Sequence, residues 1–182
     1  MIIEETPLKD CLIIKPRIFE DTRGYFFESY NEQVLKNTPL EKYNWVQDNE
    51  SRSSKGVLRG LHFQRGAFSQ AKLARVIVGE VFDIAVDLRR DSPTYGISHG
   101  VILNDKTKNQ YLIPRGFAHG FLVLSDYVIF SYKCDNPYNA EADSGLYYKD
   151  KKLNIEWPKL DIPYLLSEKD TNLPSFENAY KF

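Results

Sequence analysis

Between positions 57 and 131 the chain is a succession of short segments in which apolar residues recur at every second position, separated by turn residues such as SPTYG and NDKTKN. A repeat of two belongs to strands, because successive side chains point to opposite faces. In Lys72–Val78, Leu73, Arg75 and Ile77 alternate against Lys72, Ala74, Val76 and Val78. Gly79 and Glu80 interrupt the run before Val81–Leu88, so the two segments read as a hairpin. In the second arm Phe82, Ile84, Val86 and Leu88 share one face, while Val81, Asp83, Ala85 and Asp87 share the other, which predicts a partly polar inward face.

Further strands are expected at Leu12–Lys15, Gly24–Ser29, Trp45–Arg52, Ile97–Leu103, Gln110–Ile113, Gly120–Val123 and Tyr127–Tyr132. Aromatic residues make up 14% of the chain and run from end to end, which favours strand over helix. The one good helical stretch is Asn31–Lys36, with Asn31 as its cap. Beyond Pro137 the pattern weakens, and surface turns with short helical pieces are expected there. Short strands at regular spacing predict an all-β sandwich or barrel, and 182 residues suit a single domain spanning 1–182.

Charge and cysteine content narrow the function. Lysine and arginine number 24 against 25 acidic residues, so no broad field attracts nucleic acid or an anionic membrane. An anionic ligand would need a local cluster of cations. Cys11 and Cys134 lie far apart in apolar surroundings, as free thiols of a reducing compartment do. With neither a signal-like N-terminus nor a long apolar run, the expected location is the cytoplasm.

The stretch VLRGLHFQ (57–64) sets Arg59, His62 and Gln64 inside an otherwise apolar strand. Buried polar groups need partners, so three within six residues require a reason. Gln47, Asn49, Lys72 and Asp83 stand on other candidate strands. If these inward faces meet in a barrel, they line a polar cavity with fixed cations, suited to a small anionic molecule. A metal site is the competing reading, since IPRGFAHGF carries half of a metal-binding double-sheet-barrel signature. The other half would need His-x-His followed by an acidic residue, and RGLHFQR has Gln64 where the second histidine belongs. Neither a nucleophile elbow nor a phosphate-binding glycine loop occurs.

Six segments together resemble the dTDP-4-dehydrorhamnose 3,5-epimerase family. They are FEDTRGYFFES (19–29), QDNESRSSKGVLRGLHFQ (47–64), QAKLARVIVGEVFDIAVDLRRDSPTYG (70–96), IPRGFAHGFLVLSD (113–126), YKCDNPY (132–138) and LSEKD (166–170). The resemblance implies a cupin-type jelly roll that works as a homodimer without metal or other cofactor. Its substrate would be a dTDP-4-keto-6-deoxy-hexose, whose C4 ketone acidifies the C–H bonds at C3 and C5. Such chemistry needs a base, an oxyanion stabiliser and an acid across the ring.

By the same resemblance His62 is the base, Asp170 the carboxylate that orients it, Lys72 the enolate stabiliser and Tyr132 the acid. Arg23, Arg59, Gln47, Asn49 and His119 would hold diphosphate and sugar, with Glu28 on the nucleoside side. Phe26 and Tyr138 would sandwich the base, and the segment with Arg23, Phe26 and Glu28 would come from the neighbouring subunit. Asp83 is a second partner for His62 or for another polar group, and Gln64 has no assigned role. Two positions depart from the family pattern: Tyr148 stands where tryptophan is common, and Asp143 lies near a position that is usually glutamate. The alternatives are an epimerase acting at C3 or C5 alone, a nucleotide-sugar-binding cupin without catalysis, and a metal-dependent oxygenase.

Overall fold

Thirteen strands, in chain order, carry the fold of the computed structural model, which describes residues 1–182. They begin with β1 (Ile2–Glu5), β2 (Leu12–Lys15), β3 (Phe19–Asp21), β4 (Gly24–Phe26), β5 (Gln47–Ser54), β6 (Leu58–Gln64) and β7 (Lys72–Val78). There follow β8 (Glu80–Asp87), β9 (Ser98–Asn104), β10 (Gln110–Ile113), β11 (Phe117–Val123), β12 (Tyr127–Cys134) and β13 (Asp143–Gly145). The α-helix is limited to two single turns, α1 (Glu32–Leu35) and α2 (Glu168–Thr171), beside 3-10 turns at Gly66–Phe68 and Ala140–Ala142. Asn31 caps α1 through its side-chain oxygen, as its sequence position predicts.

Two antiparallel sheets face each other. One has six strands in the order β1-β2-β10-β7-β12-β5, and the other five in the order β13-β6-β11-β8-β9. This is the all-β, cupin-type jelly roll expected from the sequence. A separate ribbon, β3–β4, stands apart with Phe19, Tyr25 and Phe26 exposed. No helix is long and apolar enough to cross a membrane.

The expected hairpin of β7 and β8 does not form. β7 pairs with β10 and β12 in the six-stranded sheet, whereas β8 pairs with β11 and β9 in the other. Only Gly79 lies between them, at φ 89°, and a side chain there would come within 2.2 Å of the Tyr127 carbonyl. The chain therefore turns a corner between layers. Alternation along β8 could not distinguish the two outcomes, because both of its faces are covered. Val81 and Ala85 enter the cluster between the sheets, while Ile84, Val86 and Leu88 enter a second cluster outside it.

That outer cluster is completed by Leu146, Leu153, Phe176 and Ala179, so the segment after Pro137 is a cover for the five-stranded sheet rather than a run of surface turns. Tyr148 packs against Leu58 and Leu122 beside Trp157, whose Nε1 donates to the Tyr148 carbonyl at 2.8 Å. Tyr148, which stands where the resemblance sets tryptophan, is thus a packed core residue. Cys11 and Cys134 are both buried free thiols.

Candidate active site

A straight strand would turn Arg59 and His62 to opposite faces, because they are three positions apart. β6 is not straight. Its pairing with β11 matches His119 to His62 and Phe121 to Arg59, so three steps on β6 meet two on β11. This bulge keeps Leu58 and Leu61 both outward in apolar clusters and brings Arg59 and His62 both to one cavity. Gly60 occupies the bend at φ 125° and approaches so closely that a Cβ would lie 2.7 Å from the Gly120 Cα. Only glycine fits this combination of dihedral and contact.

The cavity, about 620 Å³, lies between the sheets. His62 Nε2 is 2.6 Å from Asp170 Oδ1. Asp170 rides on α2, whose first turn is capped by Ser167, and is 3% exposed. Burial pushes its carboxyl up, but the His62 contact, the Gly60 N–H and Ser167 outweigh it and hold the pKa below the ordinary carboxylate value. A carboxylate only accepts, so Nε2 carries the hydrogen and Nδ1 keeps the lone pair a base requires.

Directly opposite His62, His119 forms a similar pair with Asp83, at 2.9 and 3.0 Å from Nε2 to the two oxygens. Asp83 therefore serves His119 and not His62. Burial lowers the His119 pKa against the pull of Asp83, so this imidazole is neutral at pH 7.

The facing wall belongs to the six-stranded sheet. Lys72 on β7 and Tyr132 on β12 line the same cavity, with the Lys72 Nζ 5.7 Å from the Tyr132 ring centroid. Burial lowers the pKa of the Lys72 ammonium and raises that of the Tyr132 phenol. Asn49 on β5 joins this wall, and Gln47, which does not itself line the cavity, donates to Asn49 through Nε2 at 2.9 Å. Phe121 and Phe130, stacked at 4.3 Å, form an apolar floor. Imidazole and carboxylate on one wall, ammonium and phenol on the other, form a constellation for moving protons beside a carbonyl.

Within the single chain, other expected site residues stand outside the cavity. Arg23 and Phe26 lie on the β3–β4 ribbon, where Arg23 pairs with Asp21 at 2.6 Å and Phe26 is exposed. Glu28 lines a different hollow and accepts from Asn31 Nδ2. Tyr138 is 56% exposed beyond the cavity rim, its hydroxyl donating to Asp143 at 3.3 Å. Asp143 also takes the Lys169 ammonium, so its short carboxylate is already engaged. Lys169 lines the cavity, which sequence reasoning missed, although it stands beside Asp170 in LSEKD. No group of three or more His, Cys, Asp or Glu side chains converges as a metal ion would require.

The sequence model for dTDP-4-dehydrorhamnose 3,5-epimerase matches residues 5–178. The chain is 49% identical over 179 residues to the dTDP-4-dehydrorhamnose 3,5-epimerase of Salmonella typhimurium, covering 98% of this chain and 97% of that one. A crystal structure of the Elizabethkingia anophelis dTDP-4-dehydrorhamnose 3,5-epimerase superposes with a TM-score of 0.89 at 49% identity, covering 98% and 97% of the two chains. A dTDP-6-deoxy-D-glucose-3,5-epimerase from Legionella pneumophila, in complex with dTDP-4-keto-L-rhamnose, gives a TM-score of 0.93 at 44% identity, covering 97% and 93%.

Proposed function

Since the chain belongs to the dTDP-4-dehydrorhamnose 3,5-epimerase family, we propose that it converts dTDP-4-dehydro-6-deoxy-D-glucose to dTDP-4-dehydro-L-rhamnose. It is a carbohydrate epimerase of dTDP-L-rhamnose biosynthesis. The observation that carries the mechanism is the His62–Asp170 pair facing Lys72 and Tyr132 across one cavity.

His62 Nδ1 takes the proton from C5 or C3, and the electron pair left behind moves into the C4 carbonyl as an enolate. Asp170 stabilises the imidazolium that forms, and Lys72 stabilises the enolate oxygen. Tyr132 returns a proton from the opposite face, inverting the carbon. Its phenolate is then reprotonated from solvent, to which His62 releases the proton it took. The raised phenol pKa supports this role, because the donor stays protonated at neutral pH.

Arg59, Asn49, Gln47 and His119 bind the diphosphate and sugar, and Tyr138 stacks on the nucleoside base. Arg23, Phe26 and Glu28 act on the cavity of the neighbouring subunit in a homodimer of single-domain chains, which is supported by their position outside their own chain's cavity. The two buried free thiols support a cytoplasmic setting.

Incubation with dTDP-4-dehydro-6-deoxy-D-glucose in deuterium oxide tests the proposal. Deuterium is expected at both C3 and C5 of the product. Incorporation at one carbon reduces the enzyme to a mono-epimerase, and incorporation at neither leaves a binding protein without catalysis.

A further inference from the structure

Gln64 is the residue of VLRGLHFQ that the mechanism does not use. It sits on the inward face of β6 two positions after His62 and is 3% exposed. Its Oε1 accepts from the Asn139 backbone N–H at 2.8 Å, and its Nε2 has no partner in the chain. Space-filling alone would favour an apolar residue here, since a buried unpaired amide N–H is costly. Gln64 is used for its acceptor.

The preceding residue of that loop is held in the same way from the other wall. Gln47 on β5 accepts from the Tyr138 backbone N–H at 2.9 Å. Two consecutive amides of the loop after β12 are therefore gripped by two glutamines, one from each sheet. Asn139 continues the order by capping the turn 140–142 through Glu141 and Ala142 N–H. At its far end the Tyr138 hydroxyl is tied to Asp143. The ring between these anchors is exposed and belongs to no apolar cluster. An aromatic ring fixed at both ends, yet packed against no core, is preorganised for something outside the fold.

We infer that Gln64 is a positioning residue for Tyr138: with Gln47 it locks the loop so that the ring stands ready to stack on the nucleoside base. This rests on the reading of Tyr138 as the base-stacking residue. Ordering of the ring is then complete before substrate arrives, so loss of the clamp is felt in nucleotide affinity and not in proton transfer.

Gln64→Met should raise KM for the dTDP sugar, and weaken dTDP binding measured by calorimetry, on the order of fivefold, with kcat unchanged. Gln64→Glu should restore both, since a carboxyl oxygen at the same place still accepts from the Asn139 N–H. In a Tyr138→Ala background, Gln64→Met should have no further effect. An equal effect there, a fall in kcat with KM intact, or no effect in either background would overturn the inference. If Tyr138→Ala itself left dTDP affinity unchanged, the stacking reading would fail separately. Should Gln64→Met not fold, amide hydrogen exchange of the unaltered protein decides. The Tyr138 and Asn139 N–H groups should be protected without dTDP, and rapid exchange at both would overturn the clamp.

Discussion

Asp170→Asn isolates the electrostatic part of the proposed base. The substitution keeps the shape and leaves an amide oxygen that can still accept from His62 Nε2, so the tautomer survives and only the charge is lost. During proton abstraction an imidazolium forms 2.6 Å, between nearest atoms, from a carboxylate that is 3% exposed. With charge centres about 4 Å apart and an effective dielectric near 20, the attraction is about 4 kcal/mol. The His62 side chain is 31% exposed, which trims that figure, and the neutral hydrogen bond that remains contributes about 1 kcal/mol. A net loss of about 2–3 kcal/mol corresponds to a fall of roughly 30- to 150-fold in kcat. Deuterium exchange read by NMR at C3 and at C5 separately is the assay, and both carbons should slow together. A loss below about fivefold would mean that the charge of Asp170 does not assist the base. Slowing at one carbon only would mean that His62 does not serve both.

Other outcomes follow from the same geometry. Burial moves Lys72 below its ordinary pKa and Tyr132 above its own, so an alkaline limb of kcat set by the Lys72 charge should lie below the ordinary lysine value. Residual activity of Lys72→Arg should show that limb displaced upward, and an unmoved limb would assign it elsewhere. Burial also depresses His119, so the unfolded chain takes up protons first as pH falls below about 6.5. The stability this group contributes is present above that value and is lost as pH falls through its folded pKa. Urea melts at about pH 7.5 and pH 5 should differ less in His119→Gln than in the unaltered protein. Gly60→Ala combines a positive φ with a 2.7 Å backbone contact, so it should cost about 2–5 kcal/mol in thermal melts and lower activity by displacing His62. A stable and fully active Gly60→Ala would refute the role of the bulge.

Period-two alternation located most strands within two or three residues, because a strand with one buried face writes that face into its sequence. Pairing was not legible in β8, which is buried on both faces and therefore carries no sign of which sheet it joins. β1 (IIEE), β3 (FED) and β13 (DSG) escaped notice because charged or small residues take up much of each and neither an apolar run nor an alternation marks them. The inward placing of both Arg59 and His62 depends on a bulge, which Gly60 marks without stating which side chains it redirects. Asp170 was legible only by resemblance, since its partner is 108 residues away and its own neighbours are charged surface residues. Gln64 was conspicuous in the sequence, but its partner is a backbone amide of a distant loop, and backbone groups have no residue-type signature.

The two sheets supply what inversion at carbon demands. A proton must leave one face of the sugar ring and return to the other, so base and acid cannot share a wall. The five-stranded sheet carries His62 with His119 and Asp83, and the six-stranded sheet carries Lys72 and Tyr132. Between them the Phe121–Phe130 stack keeps the floor apolar, and Tyr132 packs against the same cluster. Burial thus acts on two different acids at once. It disfavours the phenolate of Tyr132, which keeps the proposed proton donor loaded, and it disfavours the ammonium of Lys72, which in the proposed mechanism raises the gain when an enolate oxygen appears beside it. A more polar floor would relax both shifts together. Phe130→Tyr or Phe121→Asn should therefore slow catalysis through weaker electrostatics, although neither residue exchanges a proton with the substrate.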